Sequence, residues 1–124
     1  MAIEEPDKFI SIVEDDDSLR EALVGVLRSV GYKARGFACA ETFLGVQDGQ
    51  CGCIITDIKM PGLSGIEMTE RLRAMGYATP VIMITARADA ALERQAYATG
   101  AVCLLRKPFE TDALLDCLER ALAA

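Results

Sequence analysis

The sequence predicts an α/β fold, a doubly wound parallel sheet of five strands with five helices. Two observations carry this. Short apolar runs and amphipathic stretches alternate five times along the chain, as strand-helix repeats of a parallel sheet do. The apolar runs are also continuous, as expected of strands covered by helices on both faces.

"FISIV", residues 9 to 13, is the first strand, and "DSLREALVGVLRSVGY" follows as a helix with Leu19, Leu23, Val26, Leu27 and Val30 on one face. Gly31 closes it as a left-handed cap. "YKARGF" reads as the second strand, "AETFLGV" as a short helix, and "CIIT" as a third strand ending at Asp57. The loop "KMPGLSG" leads to a helix from about Ile66 to Met75, with Met68, Leu72 and Met75 facing inward and Glu67 one turn before Arg71. "PVIMIT" is the fourth strand, and "DAALERQAYAT" a fourth helix stopped by Gly100. "VCLL" is the fifth strand and "TDALLDCLERALA" the last amphipathic helix. The fourth helix has a thin apolar face, supplied by Ala90, Ala91, Ala96 and Ala98.

The chain of 124 residues has the size of one domain, read as a tail over 1–8 and a domain over 9–124. Its 52% hydrophobic and 26% charged residues exclude intrinsic disorder. A net charge of -6 repels nucleic-acid phosphates and argues against direct DNA or RNA binding. The N-terminal "MAIEEPDK" lacks the apolar core of a signal peptide, and no run approaches a membrane span. The expected location is the cytoplasm, where Cys39, Cys51, Cys53, Cys103 and Cys117 would be reduced, small hydrophobic side chains. Cys51 and Cys53 could bind a soft metal, but the chain has no histidine and no further ligands stand near them.

In an open parallel sheet, ligands bind beyond the carboxyl ends of the strands. Glu14, Asp15, Asp16 and Asp17 follow the first strand, Asp57 the third, Thr85 and Ala86 the fourth, and Arg106, Lys107 and Pro108 the fifth. Asp16 or Asp17 is accounted for as a helix cap. Glu14, Asp15 and Asp57 would gather three negative charges against Lys107, and a magnesium ion would restore neutrality. A carboxylate nucleophile beside a metal and a lysine is a sufficient set of parts for phosphoryl transfer. Thr85 adds a hydroxyl, and Ala86 leaves room for a phosphodonor or water.

"IVEDD", "IITDIKMPGLSG", "VIMITA" and "LLRKPF" together resemble the receiver domain of two-component response regulators over nearly the whole length, with FixJ-like composition. The resemblance implies the flavodoxin-like, CheY-like strand order 2-1-3-4-5. It implies that Asp57 accepts a phosphoryl group from a sensor histidine kinase and that Glu14, Asp15, Asp57 and the backbone carbonyl of Lys59 bind Mg2+. Thr85 and Lys107 would close on the phosphoryl group, the Ala86 backbone would contact it, and the Lys107-Pro108 bond would be cis.

The implied role is a phosphorylation switch, not an enzyme. The face formed by helix four, strand five and helix five would change its affinity for a downstream protein, an output domain or a second copy of the chain. One position departs from the family: Leu104 stands where receivers commonly carry Tyr or Phe, so burial of a ring cannot report activation here. Three alternatives compete. One reads the chain as the receiver fragment of a FixJ-like transcription factor whose DNA-binding domain lies outside it. An aspartyl-phosphate-type phosphatase would need a second acid where Lys59 stands. A flavin-binding module would need a phosphate loop where the acids follow the first strand.

Overall fold

The computed structural model describes residues 8–87 and 89–123. Apart from Lys8, the expected tail over 1–8 lies outside the described residues, as does Ala124. The strands are β1 (Phe9–Val13), β2 (Ala34–Phe37), β3 (Cys51–Asp57), β4 (Val81–Thr85) and β5 (Cys103–Arg106). The helices are α1 (Asp17–Ser29), α2 (Ala40–Leu44), α3 (Gly65–Ala74), α4 (Ala90–Ala98) and α5 (Thr111–Ala123). All strands are parallel, in the order β2-β1-β3-β4-β5. The chain therefore moves outward from β1 to β2, then returns across β1 to place β3 on its other side. That reversal is a topological switch point, where the crevice of such a sheet opens.

Two cores flank the sheet because each strand turns alternate residues to opposite faces. On one face Ile10, Ile12, Ile55 and Ile82 pack with Leu23 and Leu27 of α1 and with Leu114 and Leu118 of α5. On the other, Val13, Ile54, Val81 and Met83 pack with Phe43 of α2, Met68 and Leu72 of α3, and Ala96 of α4. Cys53 belongs to the first core and Cys51 borders the second, so these near neighbours face opposite sides of the sheet. Between them Gly52 lies at an irregularity in the β1-β3 register. The divergence weighs against a shared metal at Cys51 and Cys53.

Helix caps follow the local chemistry. Oδ1 of Asp16 accepts the Leu19 N–H at 3.1 Å at the start of α1, while Asp17 pairs with Arg20 at 2.6 Å. Ser64 and Glu67 form a capping box at the start of α3. Gly31, at φ 102°, takes the left-handed turn after α1.

Several expected core residues prove to be solvent-facing. Val30 is 50% exposed and Met75 53% exposed, because each is the C-cap where its helix ends and turns away from the sheet. Val26 and Val24 are both half-buried, and of the two it is Val24 that packs against the α1 core. On α4 only Ala96 is fully buried, while Ala90, Ala91 and Ala98 are exposed and the half-buried Leu92 supplies the remaining anchor. The apolar contact of α4 is thus thinner than its alanine content implies.

Candidate functional site

Strand register builds the site. Val13 pairs with Thr56 across the β1-β3 ladder, so the next residues, Glu14 and Asp57, leave adjacent strand ends together. Asp57 in turn pairs with Ile84 of β4, which sets Thr85 at the following position. The Lys107 N–H donates to the Thr85 carbonyl at 2.8 Å and continues the β4-β5 pairing beyond Arg106. Glu14, Asp57 and Thr85 are 1%, 6% and 2% exposed, a buried polar set at the mouth of an apolar sheet. The Lys107-Pro108 peptide bond is cis, as the resemblance implied.

Lys107 spans the crevice. Its Nζ donates to Oδ2 of Asp57 at 2.9 Å and lies 3.4 Å from Oε1 of Glu14. Burial works against its ammonium, but the Asp57 hydrogen bond and the charges of Asp57 and Glu14 outweigh it and raise the pKa above the ordinary lysine value. Burial pushes Glu14 up to about 7; the Asp16 N–H on Oε2 opposes this and the Asp57 charge adds to it. Oδ1 of Asp57 accepts the Lys59 N–H at 3.2 Å.

The donors suit a hard divalent cation. One carboxylate oxygen from each of Glu14, Asp15 and Asp57 lies within 4.8 Å of the others. Oε1 of Glu14 is buried and accepts no hydrogen bond among the described residues, its nearest cation being the Lys107 ammonium at 3.4 Å. A buried carboxylate oxygen in that condition is costly, and a cation supplied from the crevice would satisfy it. Asp15 is exposed, leaving the cluster open to solvent on one side. Three carboxylates and one ammonium leave two negative charges, which a divalent ion would neutralise.

The structure thus brings Glu14, Asp15, Asp57, Thr85 and Lys107 to one end of the sheet. Ala86 follows Thr85 there and is exposed. The Thr85 hydroxyl accepts the Arg87 N–H at 3.1 Å. Lys59 enters through its N–H to Asp57; its carbonyl remains an expectation. Leu104 is half-buried and packs against the α2-α3-α4 core.

Two contributions escaped sequence reasoning. Arg20, on α1, donates to the Glu14 carbonyl at 2.8 Å, holding the strand end from which the acidic pair departs. The Lys59 N–H helps fix the Asp57 carboxylate. The Lys59 contact is the local turn that an aspartate side chain makes with its own backbone two residues on, whereas the Arg20 contact depends on how α1 folds back along β1.

Comparison with known proteins agrees with this arrangement. Residues 10–119 match the family described as the response regulator receiver domain. "Transcriptional regulatory protein FixJ" of Bradyrhizobium diazoefficiens is 37% identical over 114 residues, covering 91% of this chain and 56% of that protein. The chain spans about half the length of the curated relatives it matches. Among solved structures, the response regulator StyR is similar at a TM-score of 0.88 and 41% identity, covering 94% of this chain and 60% of that one. The FixJ-N crystal structure is similar at a TM-score of 0.87 and 31% identity, covering 94% of both chains.

Proposed function

Since this chain belongs to the response regulator receiver domain family, we propose that it is a switch that takes a phosphoryl group onto Asp57 from a sensor histidine kinase. The carrying observation is the ammonium of Lys107, 2.9 Å from the Asp57 carboxylate and 3.4 Å from Oε1 of the buried Glu14, which has no hydrogen-bond donor among the described residues.

Glu14, Asp15 and Asp57, with the Lys59 backbone carbonyl, would hold Mg2+, whose chemistry is to neutralise charge on phosphoryl oxygens. A carboxylate oxygen of Asp57 attacks phosphorus, and the bond from phosphorus to the kinase imidazole nitrogen breaks. The electron pair leaves with that nitrogen, and an acyl phosphate remains on Asp57. Lys107 transfers its hydrogen bond from the carboxylate to a phosphoryl oxygen. Thr85 accepts the Arg87 N–H and keeps its own proton to donate, so its hydroxyl moves toward the phosphoryl group while its carbonyl stays tied to Lys107. The Ala86 backbone lies next in line for a phosphoryl oxygen.

The output is a change in partner affinity at the face of α4, β5 and α5, toward a downstream protein, an output domain or a second copy. The thin apolar contact of α4 suits an element with a small energy gap between two positions. In the whole protein this receiver would precede a DNA-binding output domain of FixJ type, acting in the cytoplasm. The phosphatase reading is disfavoured by Lys59, which offers no acid two residues after Asp57.

The test incubates the wild type and Asp57→Asn with Mg2+ and a small phosphodonor, and weighs the intact proteins by mass spectrometry. One phosphoryl group should appear on the wild type and none on the variant. Equal modification of the two would overturn the assignment.

A further inference from the structure

The loop from Lys59 to Ser64 has to hold the Lys59 backbone against the Asp57 carboxylate while crossing from β3 to α3. Its ends are secured by the sheet and by the helix it enters. The Ile58 N–H donates to the Ile84 carbonyl at 2.9 Å, the Gly65 N–H donates to the Ile58 carbonyl at 2.8 Å, and the Ser64-Glu67 capping box holds the far side. The apex is held from elsewhere: Oε2 of Glu41, on α2, accepts the Leu63 N–H at 3.0 Å across 22 residues of sequence.

Gly62 makes room for that carboxylate. Its φ is +78°, and a Cβ placed there would stand 2.5 Å from Oε2 of Glu41. The glycine thus serves both the turn and the approach of a side chain from another element. The Leu63 N–H is also the foremost reason that the Glu41 carboxyl lies below its ordinary range.

We propose that Glu41 is a positioning residue for the divalent-cation and phosphoryl site, tying the apex of the β3-α3 loop to α2 so that the Lys59 backbone stays aligned with Asp57. The inference rests on the reading of the site given above. Glu41 acts through the loop and touches neither the cation nor the phosphoryl group. Loss of a partner hydrogen-bonded directly to a metal ligand costs about tenfold or more in affinity, and Glu41 stands one step further out, so its loss costs up to about tenfold at unchanged ligands.

Two variants separate reach from charge. Glu41→Asp keeps the charge but is one methylene too short to reach Leu63; Glu41→Gln keeps the reach and an acceptor oxygen but loses the charge. Glu41 is exposed, so both leave the cores intact. Mg2+ affinity is measured by isothermal titration calorimetry, and amide exchange over 59–63 is measured in chelator. Glu41→Asp is expected to bind Mg2+ more weakly, by about fivefold to tenfold, and to exchange the Leu63 amide faster. Glu41→Gln stays within about threefold of the wild type, the cost of losing charge assistance in one hydrogen bond. Glu41→Asp with wild-type Mg2+ affinity would overturn the inference, whatever Glu41→Gln does, and leave the site itself standing. A wild type that binds no Mg2+ would remove the reading of the site and this inference with it.

Discussion

Lys107 lies 2.9 Å from Asp57, a partner 50 residues away in sequence, and 3.4 Å from Glu14, so one ammonium serves two buried carboxylates. Lys107→Ala leaves those carboxylates facing each other. In chelator the variant should lose about 1–2 kcal/mol, a buried-pair cost discounted for the partial exposure of the lysine. Mg2+ should recover more stability in the variant than in the wild type, because the competing cation is gone. The variant should still take the phosphoryl group but show little change in α4 amide exchange. Thermal unfolding with and without Mg2+ checks the first two points, and weaker Mg2+ stabilisation of the variant would contradict them.

Gly65 has no room for a side chain. A Cβ there would meet the backbone carbonyl of Asp57 and approach the Thr56 methyl, while its φ is not in the left-handed region. Gly65→Ala should therefore destabilise by overpacking, by about 1–3 kcal/mol, and shift the strand end that carries Asp57. Urea unfolding measures the loss, and a variant as stable as the wild type would show that the α3 start yields freely.

Glu14 sets a pH dependence. Burial, reinforced by the Asp57 charge, pushes it up to about 7 from an ordinary 4.5. Between these values the folded, metal-free protein binds more protons than the unfolded chain, so stability falls as pH rises through the window. The contribution is fully present below pH 4.5 and lost above about 7, and it amounts to about 3 kcal/mol at most. Urea titrations in chelator should show this decline, and Glu14→Gln should flatten it. A wild-type profile that rises from the lower to the upper value would run against the assignment.

The thiols should differ in reactivity. Burial pushes Cys53 up to about 12 and Cys103 up to about 11, while Cys39 sits half-buried at the start of α2. Since the thiolate is the reacting form, iodoacetamide near pH 8 should modify Cys39 first. Cys53, Cys103 and Cys117 should react only after unfolding, as peptide mapping would show; early labelling of Cys53 would refute the ordering.

Much of the fold was legible because strands and helices announce themselves through the spacing of apolar residues along a short stretch. The alternation from "FISIV" to "TDALLDCLERALA" predicted every element in order. The errors fell at helix ends, where Val30 and Met75 keep the periodicity but pass beyond the last turn that faces the sheet. They fell also on α4, whose alanines are small enough to sit on the buried or the solvent-facing side of a helix, and of the four only Ala96 is buried. The acids after β1 and at Asp57 were readable as chemistry, since ionised groups at the ends of apolar strands call for a reason.

The sequence by itself determined which elements form and which reactive groups end each strand, because backbone geometry and side-chain period act over a few residues. The tertiary structure alone decided that Glu14 and Asp57 leave neighbouring strands, that Lys107 reaches across β4 to both, and that Glu41 holds the loop beside them. Those relationships arise from strand order and close packing between distant segments, and no local pattern of residues encodes a distance across the sheet.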